Sequence, residues 1–155
     1  MRILVVSDTH GDADTLTRAI LSQPEARTVV HLGDGAREAQ EIADRFADRI
    51  FYILRGNCDW FNGDLPFSRT ETVGGVKTLM AHGHTYSVKI GYDRLLMSAR
   101  ELGARLVLFG HTHRAYNAYD DGIYLFNPGS LHGGGSCGIV DITPAGIVVN
   151  HIGRK

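Results

Sequence analysis

Cysteine is scarce in this chain: Cys58 and Cys137 are the only two among 155 residues. Disulfide-stapled scaffolds carry several cysteines at patterned spacing, so both read as free thiols in a reducing compartment. An excess of either charge is also missing, with 16 basic against 17 acidic residues. That balance lacks the electrostatic footprint of a protein held on nucleic acid by phosphate neutralisation. No basic stripe is present to track a strand. Long apolar runs are absent too. The first, Ile3 to Val6, stops at Ser7, Asp8 and His10, far short of a signal h-region or a membrane span. A cytoplasmic protein with no membrane partner is therefore expected. Neither linker nor repeat interrupts the chain, and its length suits the usual ~100–200 residues of one domain. A single domain over residues 1–155 is expected.

Glycine and histidine are abundant, at 19 and eight residues. Their placement follows a repeated pattern. Arg2 to Ser7 is an apolar, β-branched run that suits a strand buried on both faces, and it ends in Asp8-Thr9-His10-Gly11-Asp12. Leu16, Ala19 and Ile20 then recur at helical spacing, with Asp12 or Asp14 as the cap and Pro24 as the stop. Thr28 to Leu32 repeats the strand, Gly33-Asp34-Gly35 the turn, and Ala36 to Phe46 the helix. Ile50 to Leu54 is a third strand, running into Arg55-Gly56-Asn57-Cys58-Asp59. Arg69 to Val73 and Val76 to Ala81 form a hairpin that delivers His82-Gly83-His84. A helix over Tyr92 to Leu102 precedes the strand Arg105 to Phe109, which ends at Gly110-His111-Thr112-His113. Four antiparallel strands close the chain: Tyr116 to Tyr119, Ile123 to Phe126, Gly138 to Ile142 and Ile147 to His151. Gly133 to Gly135 reads as a loop. The implied architecture has two stacked β-sheets with helices on the outer faces.

Ligands in open α/β sheets bind outside the carboxyl ends of the strands. Five polar clusters fall there: Asp8/His10, Asp34, Asn57/Cys58/Asp59, His82/His84 and His111/His113. Taken singly, Asp8 and Asp34 would serve as helix caps, Asn57 as a turn residue and each histidine as an ordinary surface or core residue. Jointly, five turns that all choose Asp, Asn or His point to a metal site. Imidazole nitrogens with carboxylate and amide oxygens suit manganese, iron or zinc, whereas a soft cage would draw on thiolates. His111 and His113, like Asp8 and His10, stand two residues apart, a spacing that puts both side chains on one side of an extended backbone.

These motifs, Asp8-Thr9-His10, Gly33-Asp34, Gly56-Asn57-Cys58-Asp59, His82-Gly83-His84 and Gly110-His111-Thr112-His113, resemble those of the calcineurin-like metallophosphoesterases. Glu38 after Gly33-Asp34-Gly35, together with Asn127-Pro128-Gly129-Ser130, is similar to the small bacterial and archaeal phosphodiesterase branch (YfcE-like). The retromer scaffold subunit belongs to that branch too. The resemblance implies a four-layer α/β/β/α sandwich of two stacked mixed sheets. It assigns Asp8, His10, Asp34 and His113 to one divalent ion, and Asn57, His82, His111 and the shared Asp34 to a second. Manganese is the favoured ion, with iron, zinc or nickel as alternatives. A hydroxide held between the ions is the expected nucleophile for in-line attack on a small phosphodiester. The competing expectation is a scaffold that keeps the fold and uses its surface, which would be under no pressure to keep all seven ligands. Homo-oligomerisation is left open.

The candidate catalytic set is Asp34, Asn57, Cys58, Asp59 and His84. Many relatives place a histidine at position 58. A thiol with an ordinary pKa of about 8.5 is the poorer acid for an alkoxide, so good leaving groups, and diesters over monoesters, are expected. His84 is either an acid or phosphate ligand, or a support for the metal ligands. Asp59 is expected to orient a ligand histidine. The branch often follows Asn-Pro-Gly-Ser with Pro-Arg, whereas this chain continues Leu131-His132-Gly133. Arg55 and Arg114 are alternative phosphate clamps, or else solvated surface residues. Trp60, Phe61, Phe67 and Tyr86 are candidates for a wall facing a nucleoside or aryl group, with core packing accounting for at least two of them. His31 is expected in the core and His151 on the surface.

Overall fold

Strands β1 (Arg2–Val6) and β2 (Thr28–His31) are the β-branched runs of the first two repeats, and they are buried from Ile3 and Thr28 onward. Burial on both faces is what removes any polar alternation from their sequences. A computed structural model describes residues 1–153; residues 154 and 155 of the expected domain lie outside the described residues. With β3 (Ile50–Ile53) these strands form a parallel set in register, Val5 opposite Val30 and Val30 opposite Tyr52. Helix α1 (Ala13–Leu21) is capped by Asp12, whose side chain accepts the Thr15 N–H at 3.0 Å. Helix α2 (Ala36–Ala43) ends three residues before the expected Phe46. The chain continues there through i→i−3 bonds at Arg45 and Phe46, so Phe46 still packs on the same apolar face.

The second sheet contains the hairpin of β4 (Ser68–Val73) and β5 (Val76–Ala81), then α3 (Asp93–Leu102) and β6 (Leu106–Phe109). The last four strands are β7 (Ala115–Asp120), β8 (Ile123–Pro128), β9 (Ser136–Thr143) and β10 (Gly146–Gly153). They form two antiparallel hairpins, but the hairpins join different sheets. One sheet has the order β10-β9-β1-β2-β3 and the other β4-β5-β6-β8-β7. Each sheet is mixed, because β9 runs antiparallel to β1 whereas β8 runs parallel to β6. His132–Gly134, expected as plain loop, makes a short 3-10 turn, as do His84–Tyr86.

Three apolar clusters define four layers. Ile3, Val5, Val30, Met80, Leu108 and Phe126 meet between the sheets. Leu16, Ile20 and Ile42 of α1 and α2 cover the outer face of the first sheet against Leu4, Val6 and Ile139. Leu95 and Ala99 of α3 cover the second against Leu79, Val107 and Phe109. The fold is the α/β/β/α sandwich, and burial of each large aliphatic side chain stabilises it by roughly 1.5–3 kcal/mol. The carboxyl ends of β1, β2, β3, β5, β6 and β8 all open toward one side. Among the described residues no helix is long and apolar enough to cross a membrane.

Candidate metal centre

Six loops reach the same cleft from those strand ends. The ligand-type atoms of Asp8, His10 and His113 lie within 4.8 Å of one another, and so do those of Asp34, His82 and His111. Asp34 also groups with His10 and Cys58 at the same distance, so its carboxylate stands between the two sets. His82 Nε2 is 3.1 Å from Asn57 Oδ1 and 3.5 Å from Asp34 Oδ2. All seven residues expected as ligands are therefore brought together from positions up to 105 apart in sequence.

Local backbone geometry makes this possible at a cost. Asp8, His10, Asp34, His111 and His113 all have positive φ, between 47° and 68°. Non-glycine residues there are uncommon, and each costs roughly 1–2 kcal/mol. Such strain concentrates at functional sites when the surrounding structure over-determines it. The surrounding bonds are identifiable. Ser7 Oγ and the His111 N–H hold Asp8 Oδ2 at 2.5 and 3.1 Å. Ser130 Oγ donates to the Asp8 carbonyl, and the buried Asn127 amide donates to the Gly110 carbonyl and to Thr112 Oγ1. Glu38 accepts from Thr9 Oγ1 and from the Gly11 N–H. Gly110 lies so close to Ser7 Oγ that no side chain fits.

The donor set calls for a cation. Asp8 is wholly buried and Asp34 almost so, yet the only basic groups within 4 Å of either, among the described residues, are histidines. Asp8 Oδ1 has no hydrogen-bond partner and faces His113 Nε2 at 3.1 Å and His10 Nε2 at 3.9 Å. A buried carboxylate without a counter-charge is expensive. On the other side, the Leu32 carbonyl accepts the Nδ1–H of His82 at 2.8 Å. That bond fixes the tautomer, so neutral His82 turns a lone pair toward Asn57 Oδ1 and Asp34 Oδ2, two further acceptors. Lone pairs facing one another are satisfied by a positive ion. In the metal-free chain the same carboxylates favour a proton on His82. Burial pulls the His82 pKa down, but the Asp34 bond and the charges of Asp8 and Asp34 prevail and raise it. Burial likewise works against ionised Asp34, while His82 and the Cys58 N–H hold its pKa well below the usual carboxylate range. Burial, then His82 and Lys89, depress His111 to about 4.

Asp59 corrects one expectation. It meets no histidine; its carboxylate accepts the N–H groups of Asp34, Gly35, Ala36 and Gly56 at 2.7 to 3.0 Å. It therefore caps α2 from the β3 loop, because the N-cap residue Gly35 has no side chain to do so. Neither Asp8 nor Asp34 caps a helix. Burial and the negative charges of Asp34, Asp59 and Asp8 raise the Cys58 thiol. Burial, His82 and Arg55 lower His84. The Arg55 guanidinium stacks on Phe67 at 4.0 Å, and Phe67 meets His84 edge-on at 4.6 Å. Arg114 lines a separate cavity of about 300 Å³ with Lys89, Tyr92 and Thr112. His31 is buried between Thr9 Oγ1 and the Gly33 N–H, while His151 is exposed and meets the Asn127 carbonyl. His132, to which the sequence reading assigned no role, holds the Thr9 carbonyl, its ring 6.2 Å from His10.

Residues 1–143 match the family model described as the calcineurin-like phosphoesterase superfamily domain. The chain belongs to that superfamily. Calcineurin-like phosphoesterases hydrolyse phosphoesters with divalent metal ions, and the residues gathered here fit such ions. Among relatives, a probable metallophosphoesterase, YsnB of Bacillus subtilis (strain 168), is 35% identical over 132 residues, 84% of this chain and 75% of that protein. An archaeal phosphodiesterase superposes with a TM-score of 0.77 at 24% identity, over 99% of this chain and 100% of the other. Vps29 from Entamoeba histolytica, complexed with zinc, superposes with a TM-score of 0.76 at 21% identity, over 99% of both chains. At these identities the two structures establish the likeness of fold.

Proposed function

We propose that this calcineurin-like phosphoesterase is a phosphodiesterase, acting on a small phosphodiester with two divalent cations. One cation would be held by Asp8, His10, Asp34 and His113, the other by Asn57, His82, His111 and Asp34. The observation that carries the reading is the Asp34 carboxylate, within 4.8 Å of His10 on one side and of His82 and His111 on the other. Manganese is favoured for this mixed nitrogen and oxygen set, with iron, zinc or nickel as alternatives. When bound, such ions supply Lewis acidity that neutralises phosphoryl charge and makes water nucleophilic near neutral pH.

The chain's own groups limit the leaving group. The Cys58 thiol stays protonated but is a weak acid and a weak hydrogen-bond donor. His84 is neutral at physiological pH and offers no charged proton reservoir. Neither matches the demands of an alkoxide, so esters with good leaving groups are the better substrates. Both cysteines are free, which supports a cytoplasmic site of action. A scaffold role on the same fold would need no cation, and the buried Asp8 carboxylate, whose Oδ1 has no hydrogen-bond partner among the described residues, would then be a cost with no function to offset it.

The test is hydrolysis of bis(p-nitrophenyl) phosphate by the manganese-loaded protein. Turnover is expected in the native chain. In Asp34→Asn both metal content and turnover are expected to be lost. Retained turnover in the stripped variant would refute the two-cation reading.

A further inference from the structure

Two large aromatic residues stand in water beside the metal centre. Trp60 is 83% exposed and Phe61 98% exposed, the most exposed aromatic side chains among the described residues. They follow Asn57-Cys58-Asp59 directly and line a cleft of about 300 Å³ whose inner wall includes His10, Asp34 and Cys58. Scattered exposed apolar residues are ordinary, but adjacent ones on the rim of a polar site mark a contact surface.

The loop that presents them is anchored at both ends. On one side the Asp59 carboxylate accepts four backbone N–H groups. On the other, Asn62 Nδ2 donates to Gln40 Oε1 of α2 at 2.8 Å, and the Asn62 and Leu65 N–H groups close successive turns. The aromatic pair is therefore held in place while its faces remain free. Phe67 and Tyr86, the other two wall candidates, are used elsewhere: Phe67 beneath Arg55, and Tyr86 against the α3 cluster.

We infer that Trp60 and Phe61 form a platform for a planar aromatic ester group of the phosphodiester. This rests on the phosphodiesterase reading, since a group in that part of the cleft must be joined to a phosphoryl group at the cations. An aromatic face accepts any planar π-system, so the class is aryl and nucleoside phosphodiesters rather than dialkyl ones. Trp60 and Phe61 are specificity residues that touch the ester group and not the reacting atoms.

The chain's single tryptophan makes the test direct. The manganese-loaded protein is titrated with phenylphosphonate and with methylphosphonate, following Trp60 emission in the native chain and taking the dissociation constant of each from calorimetry. Phenylphosphonate should perturb the emission and bind about ten-fold or more tightly than methylphosphonate, the effect of one stacked ring. In the double variant W60A/F61A, that preference should fall to near unity. Manganese content and methylphosphonate affinity should stay at the native level. Equal affinities in the native protein would overturn the platform while leaving the phosphodiesterase reading intact. A doubled mass in sedimentation with blue-shifted Trp60 emission in the native protein, the doubled mass being lost in W60A/F61A, would overturn it in favour of a surface for a second copy. Failure of both phosphonates to bind would overturn both readings.

Discussion

Adding one methyl group at Gly56 should disable the centre without removing any of its ligands. A Cβ built there would overlap Asp34 Oδ1 and lie 2.6 Å from the Asp34 backbone nitrogen and 2.7 Å from its Cγ. Ordinary contact begins near 3.4 Å, so Asp34 must retreat by roughly 1 Å, a displacement that elsewhere costs about 10²-fold in rate. Gly56 has no positive φ, so the effect is steric and not conformational. Overpacking of this kind destabilises by about 1–3 kcal/mol, and in a domain of this size each kcal/mol lowers Tm by about 2–4 °C. Gly91→Ala is the matched control, because its added methyl meets nothing within 4 Å and its φ is also unexceptional. The assay is kcat/KM on bis(p-nitrophenyl) phosphate at saturating manganese, with manganese affinity from calorimetry. Gly56→Ala should lose about 10²-fold in kcat/KM and about 10–100-fold in metal affinity. If it matches Gly91→Ala in both, the close approach of the β3 loop to Asp34 does not position that carboxylate.

Asp59→Ala leaves four backbone N–H groups without their acceptor and should cost about 2–3 kcal/mol in urea unfolding; an unchanged midpoint would remove Asp59 as the cap of α2. Manganese must displace a proton from His82, whose pKa in the metal-free chain is raised chiefly by the Asp34 bond against the pull of burial. Uptake should therefore weaken as pH falls through the raised His82 midpoint, beginning above the ordinary imidazole value of about 6.5. An NMR titration of the metal-free protein should place the His82 midpoint above that value, and Asp34→Asn should move it down. His111, depressed to about 4, should add no further loss above pH 5.

Much of this arrangement can be read from the chain alone, and the reasons are local. Ile3 to Val6 and Leu106 to Phe109 are uninterrupted apolar runs because both faces of their strands are buried, and a polar cluster at the end of such a run lands at the sheet's carboxyl edge. The left-handed backbone of Asp8, His10, Asp34, His111 and His113 leaves no comparable trace. Each side chain's direction there depends on bonds from Ser7, Glu38, Asn127 and Ser130, which come from elsewhere in sequence. Asp59 differs from its expected place beside a ligand histidine for the same reason: only the approach of α2 turns its carboxylate toward four N–H groups. The final two hairpins carry the same alternation whichever sheet receives them, and what separates them is the pairing of β9 with β1 and of β8 with β6.

The pair of cations astride one carboxylate is tested most directly by anomalous diffraction from crystals grown with manganese. Two peaks about 3.5–4 Å apart, one beside Asp8, His10 and His113, the other beside Asn57, His82 and His111, with Asp34 touching both, are the expected result. A single peak, or two that do not share Asp34, would contradict it.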